Sequence, residues 1–226
     1  MKKIHEHVPL ILGILGLLLA PNTQAAPTPA KKVLNDWYAL GSACRAKHDL
    51  PGNVRMEEVS APLPQMNKVK FTLDNVALSS DNPSKLSPLQ FGKECSIRLN
   101  INPPAGKRLK RLIAITSLHA SKAAEVDLLI HGELKLGAAS LGHVQEISKV
   151  GQKISDKVIP IQFDTDLGPP SEGDQPMPEL KCGEAKIIGF DYTFIAKRTS
   201  EKDAVLAEIG SPRTLEITAE LENCTR

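Results

Sequence analysis

Two histidines, His131 and His143, are the residues whose types and spacing come nearest to a metal site. They fall in neighbouring strand-like segments, so a hairpin would bring both rings to one sheet face, and Glu133 lies two positions beyond His131. Imidazole nitrogens and carboxylate oxygens are ligands of Zn²⁺ and Cu²⁺. The spacing predicts a candidate metal site, and the plainer interpretation, which we prefer, is a pair of solvated surface histidines.

A second candidate is acidic. Asp164 and Asp166 stand at alternate positions before Gly168, in the manner of a calcium-binding loop. Gln175, however, occupies the position at which such a loop needs a bidentate acid. We interpret the segment as a solvated surface loop and keep Asp164 and Asp166 as metal candidates.

The chain carries no motif for a well-known chemistry. It has no His-Glu-x-x-His, no phosphate-cradling glycine loop and no dinucleotide fingerprint. We therefore expect no cofactor, and a binding or structural module rather than an enzyme. One alternative is a secreted hydrolase whose site is assembled from distant loops, with Asp164, Asp166 and His131 as candidates. The other is an inhibitor or effector that acts on a host or prey protein.

Four cysteines, Cys44, Cys95, Cys182 and Cys224, are widely spaced. None stands in the close Cys-x-x-Cys or Cys–His spacing of a metal site, so we expect two disulfides in an oxidising compartment. Four cysteines allow three connectivities. We favour Cys44–Cys95 and Cys182–Cys224, which pair the two N-terminal and the two C-terminal cysteines.

Residues 1–25 have the pattern of a secretory signal peptide. Lys2 and Lys3 precede an apolar run, Val8–Ala20, which is short for a membrane span, and a small-residue cleavage site ends at Ala25. An uncleaved anchor is the alternative. We expect a flexible mature N-terminus over 26–32, a single domain over 33–226, and a secreted or periplasmic protein with no membrane span after cleavage.

The mature chain alternates apolar and polar residues in many short segments separated by Pro, Gly and Asn turns. This pattern predicts an all-β fold, an antiparallel β-sandwich with two disulfides. Aromatic residues make up only 4% of the chain, so we expect an aliphatic core. We also expect short helical turns at Ser121–Glu125 and Ser200–Glu208.

Charge is nearly balanced, with a formal net charge of +2. This gives no field to steer nucleic acid, and we expect instead an extracellular protein or polysaccharide partner. The one basic cluster, Lys107–Arg111, predicts a charged edge strand that discourages aggregation. Binding to an anionic polymer is the alternative.

The cysteine contexts resemble the domain-of-unknown-function 4360 family of secreted proteins. The segments that carry the resemblance are Gly41-Ser-Ala-Cys44, Phe71-Thr-Leu, Lys93-Glu-Cys95-Ser-Ile-Arg-Leu-Asn-Ile-Asn with its Pro103-Pro-Ala-Gly106 turn, Cys182-Gly183 and Cys224. Arg45 departs from the pattern, since members often carry Pro after the first cysteine. The resemblance implies a small exported all-β protein and brings no established activity.

Overall fold

The computed structural model describes residues 32–44, 46–47, 52–78, 90–149, 151, 153–168, 180–198 and 207–224, all within one compact unit, Lys31–Arg226. The predicted signal peptide and the residues up to 31 lie outside the described residues. The strands are β1 Leu34–Leu40, β2 Ala46–Lys47, β3 Val54–Val59, β4 Met66–Leu73, β5 Val76–Leu78, β6 Gln90–Ile101, β7 Lys107–Lys122, β8 Val126–Leu136, β9 Ala139–Ser148, β10 Ile154–Asp166, β11 Lys186–Arg198 and β12 Ala207–Asn223.

These strands form two antiparallel sheets, which confirms the predicted all-β sandwich. The first sheet has the order β2-β1-β6-β11-β8-β9, and the second has the order β10-β7-β12-β4-β3, with β5 beside β12. Alternation explains the packing: every second residue of β8 is buried, from Val126 to Leu136, while the residues between them face outward. The two inner faces meet in one hydrophobic core.

Two local predictions are wrong, and both concern β7. This strand continues to Lys122, so Ser121 and Lys122 are extended, and only a tight turn at Ala124–Glu125 follows. The basic cluster Lys107–Arg111 does not belong to an edge strand either, because β7 lies between β10 and β12 in the sheet, although only Arg111 of the cluster stands in the ladder with β10. Residues 200–206 of the second expected helical turn lie outside the described residues, and Ala207–Glu208 begin β12.

The core is mostly aliphatic, as expected, but aromatic rings run through its middle. Six of the eight Phe, Tyr and Trp residues are buried. Phe190 packs against Phe163 of the facing sheet with ring centroids 5.7 Å apart, and against Tyr192 at 4.6 Å. The chain has few aromatic residues, but most of them lie in the core, so the centre of the core contains aromatic rings as well as aliphatic side chains. The buried six are Trp37, Phe71, Phe163, Phe190, Tyr192 and Phe194.

A buried arginine, Arg213, ties loops to this core. It is 1% exposed, and its guanidinium donates to the backbone carbonyls of Asp74 and Ala43. The guanidinium carbon lies 5.7 Å from the centre of the Phe194 ring. Burial lowers the pKa of Arg213 to about 10, so the group stays charged at neutral pH. Its role is structural.

Both disulfides have the predicted connectivity, Cys44–Cys95 and Cys182–Cys224. Cys95 of β6 and Cys44, which lies between β1 and β2, are both fully buried, whereas Cys182 lies on the surface. Gly41 makes the first bridge possible, because a Cβ at this position would lie 2.2 Å from the Glu94 carbonyl oxygen. The two disulfides indicate an extracellular or periplasmic protein.

Candidate functional site

The structure brings His131 and His143 together on the outer face of the first sheet. Their ring centroids are 6.0 Å apart, and Glu133 stands directly opposite His143 in the β8–β9 ladder. Glu133 is already bound by Lys135, at 2.9 Å. Across the described part of the chain, no three His, Cys, Asp or Glu side chains are placed to hold one metal ion. Binding of an ion by the two rings alone stays a prediction.

Asp164 and Asp166 lie far from these histidines in the fold. Both are at the end of β10 and face outward from the second sheet, so the core separates them from His131. Arg111 donates two hydrogen bonds to the Asp164 carboxylate, from Nε to Oδ1 at 2.6 Å and from Nη2 to Oδ2. These hydrogen bonds lower the pKa of the Asp164 carboxyl. Asp166 accepts the backbone N–H of Gly168 at 2.9 Å. Asp164, Asp166 and His131 therefore do not form one hydrolytic site.

An ion network occupies the middle of the first sheet's outer face. We define it as Ser96, Arg98, Glu133, Lys135 and Asp191. Asp191 is its centre, because one carboxylate oxygen accepts from Arg98 and from Ser96 at 2.6 Å each. The other oxygen accepts from Lys135 at 2.9 Å. Every charged member is thus satisfied by another member.

The electrostatics of Asp191 follow from this geometry. Burial is the largest influence and raises its pKa, but hydrogen bonds from Arg98, Ser96 and Lys135 outweigh it and lower the pKa to about 2. Lys135 responds in the opposite direction, since its bonds to Asp191 and Glu133 raise its pKa. The pKa shifts of Asp191, Glu133 and Lys135 all favour the charged form, so none of these three groups is a poised acid or base at neutral pH.

Gly189 allows the Arg98 guanidinium to lie flat on the sheet. A Cβ at Gly189 would come within 3.1 Å of an Arg98 nitrogen and 3.3 Å of the Lys135 Cβ. Arg98 and Lys135 flank Gly189 on the two neighbouring strands. The absence of a side chain here therefore keeps the network compact.

A depression of about 630 Å³ lies beside the network, on the same outer face. Its floor is a row of three aliphatic side chains, Ile195 of β11, Leu129 of β8 and Ile147 of β9, which are aligned across the sheet. Ile147 is 54% exposed. The other lining residues are Gln90, Asp127, Leu128, Lys149 and Lys197, and we call these residues together the depression.

The rim of the depression is basic. Lys149 and Lys197 are exposed; Lys197 stands opposite Asp127 in the β11–β8 ladder, and Lys149 follows directly after the last residue of β9. Neither lysine ammonium has an ion-pair partner among the described residues. The depression therefore combines uncovered aliphatic surface with positive charge that is available to a ligand.

The outer face of the second sheet is different, because cross-strand ion pairs link its neighbouring strands from β3 through β4, β12 and β7 to β10. They include Lys68–Glu216 at 2.6 Å and Lys70–Glu57 at 3.2 Å. The basic cluster belongs to this pattern, since Arg108, Lys110 and Arg111 each pair with an acid on a neighbouring strand. The cluster therefore offers little free charge to an anionic polymer.

Sequence reasoning missed the depression. Leu129, Ile147 and Ile195 stand in three different segments, and only the register of β11, β8 and β9 aligns them. One signal was present: Leu129 sits on the polar side of an otherwise alternating strand, where an apolar residue needs a reason. Sequence reasoning also missed Asp191, because it is a single acid between Phe190 and Tyr192, which are both buried, and no motif marks it.

Comparisons with known proteins give no family. No family model and no curated protein matches the chain. Among solved structures, TmCBM61 in complex with beta-1,4-galactotriose is similar at 10% identity and a TM-score of 0.22, covering 83% of this chain and 88% of that one. The family 11 carbohydrate-binding module of the cellulase Lic26A-Cel5E of Clostridium thermocellum is similar at 13% identity and a TM-score of 0.20, covering 78% and 89%. TM-scores this low carry no argument about function.

The described residues contain no helix long and apolar enough to cross a membrane.

Proposed function

We propose that this protein is a binding module of an extracytoplasmic compartment, and that it binds a segment of a partner protein in the depression on its first sheet. The observation that supports this most is the contrast in partners: the ion network uses its charges internally, whereas the aliphatic floor and the two rim lysines face solvent. A ligand that covers Leu129, Ile147 and Ile195 gains hydrophobic free energy without breaking an existing contact.

The chemistry of the depression favours a protein segment over a polysaccharide. Sugar rings bind best against flat aromatic faces, and Tyr38 is the only Phe, Tyr or Trp that the described outer face of the first sheet exposes. Branched aliphatic side chains beside lysines instead suit a segment with apolar and acidic residues. The resemblance to the domain-of-unknown-function 4360 family remains a proposal beside this one.

An array of short peptides, varied in apolar and acidic content, tests the proposal together with a panel of neutral oligosaccharides. Peptides that carry both apolar and acidic residues should bind the oxidised protein, and Ile147→Asp should weaken them about tenfold or more. Ile115→Asp is the matched control, because Ile115 is similarly exposed, at 42%, but lies on the second sheet. Binding of oligosaccharides alone, or equal losses in both variants, would refute the proposal.

A further inference from the structure

The edges of the two sheets are protected to very different degrees. In the second sheet, β10 carries Pro160, which has no N–H to donate, and a register shift after Ile154. The six-residue β3 has Glu57 and Glu58 held in ion pairs with Lys70 and Lys32. In the first sheet, β2 is only two residues long. Short, charged or interrupted edges of this kind discourage a further strand.

The remaining long edge, β9, has none of these protections along its regular part. It is ten residues long, contains no proline, and has Glu146 as its single charged residue. It pairs with β8 on one side, and no described residue pairs with its other side. Its register with β8 is irregular only near Ser140–Gly142, which leaves Gly142–Ser148 as a regular edge.

We propose that an extended segment of a partner protein adds to β9 as a further strand of the first sheet; this inference rests on the proposed function, since the same segment enters the depression. Ile147 lies at the β9 edge and also forms the floor, so a strand paired with β9 places alternate side chains beside the floor. Backbone hydrogen bonds supply affinity in this mode, and side-chain pockets supply specificity.

The side chains of the depression that would lie beside the added strand determine which residues the partner segment needs. The row of Ile195, Leu129 and Ile147 calls for an apolar residue next to Ile147. On the same face, Lys197 stands opposite Asp127, and Lys149 lines the depression two residues after Ile147, so an acid of the added strand complements Lys149. Residues on one face of a strand are two apart. The partner therefore carries an apolar residue and an acid separated by one residue.

A second copy of this chain does not meet this requirement. The outward-facing residues of β9 are His143, Gln145 and Ile147, opposite the outward residues of β8, and none of them is acidic. Glu146, the one acid of β9, stands opposite the buried Ile130 and so belongs to the inner side. Two paired β9 strands would therefore place no carboxylate of the second copy beside Lys149.

The probes are two capped peptides, Ser-Glu-Ser-Val-Ser-Thr-Ser for antiparallel pairing and its reverse for parallel pairing. At least one should bind the oxidised protein in calorimetric titrations, and Lys149→Glu should weaken it about tenfold. Lys157→Glu, an exposed lysine of β10, is the matched control and should change nothing. A peptide with Lys in place of Glu should bind more weakly than the parent.

N-methylation separates this inference from the proposed function. Only every second N–H of an added strand faces β9, so methylating one alternate set should abolish binding while the other set leaves it intact. If both methylated peptides bind as well as the parent, β9 pairing is refuted, although the depression still binds peptides. If neither the parent nor the array peptides bind, the proposed function fails as well. Dimerisation of the protein that Val144→Pro abolishes would instead assign the edge to a second copy and overturn the inference.

Discussion

The ion network and the depression lie side by side on one sheet face, yet their side chains are used in opposite ways. In the network, Arg98, Lys135 and Asp191 satisfy one another, so the face is closed to a ligand. In the depression, the exposed Ile147 and the rim lysines have no such partners among the described residues. From this difference we propose that the paired charges of this face stabilise the fold, whereas the two rim lysines of the depression bind a ligand.

The largest expected effect concerns the centre of the network. Asp191→Asn removes the charge that holds Arg98 and Lys135, and should lower the free energy of unfolding by about 2 kcal/mol. For a domain of this size, the melting temperature should fall by about 5 °C. Peptide binding in the depression should not change. Thermal melts measure the stability of this variant, and calorimetric titrations of the same sample measure its peptide binding. If Asp191→Asn weakens peptide binding as much as Ile147→Asp does, the network and the depression are not functionally distinct.

Lowering the pH should remove the contribution of Asp191 to stability. The folded-state pKa of Asp191 is lowered to about 2, so its contribution is complete above the ordinary value near 4 and is lost as the pH falls towards 2. Unfolding by denaturant between about pH 5 and pH 2 should therefore show a steeper loss of stability in the native protein than in Asp191→Asn. Parallel curves for the two proteins would mean that Asp191 is not held as described.

Two glycines on this face sharpen the comparison. Gly189→Ala forces a Cβ against the Arg98 guanidinium and should cost about 1 kcal/mol. Gly92→Ala is its matched control beside the depression, because the nearest atom to its Cβ would be 3.9 Å away, and it should change stability by less than about 0.5 kcal/mol. Denaturant titrations compare them. Similar costs for both would show that the Arg98 side chain does not rest on Gly189.

Much of the fold could be predicted from the sequence, because alternation is local. Apolar and polar residues alternate along Val126–Leu136 except at Leu129, and β8 has those bounds. The two disulfides were also within reach, since four cysteines allow few pairings. The basic cluster was misplaced because an edge is a property of the whole sheet order, which no single segment encodes.

The site was less accessible for a related reason. His131 and His143 could be paired because a hairpin joins their strands. The floor of the depression joins residues from β8, β9 and β11, and β11 is separated from the other two along the chain. Only long-range register creates that row, and the one local signal, Leu129 on the polar side of β8, does not indicate which residues lie beside it.

The smallest expected effect concerns the two histidines at the border of the two regions. Titration of Cu²⁺ into the protein should show one weak site, and His143→Ala should abolish it with no change in stability. His119→Ala, which removes a ring already bonded to Asp156 at 2.8 Å, is the control and should leave binding intact. If the two variants bind Cu²⁺ equally well, His131 and His143 do not form a metal site and are solvated surface residues.

The most direct test of the central claim is a map of backbone amide shifts as the acidic, apolar peptide is added to isotopically labelled, oxidised protein. The account predicts shifts concentrated at residues 127–129, 145–149 and 195–197, with little change at Arg98, Asp191 or the second sheet. Shifts centred on the ion network or on the second sheet's ion pairs, with none at Ile147, would contradict it.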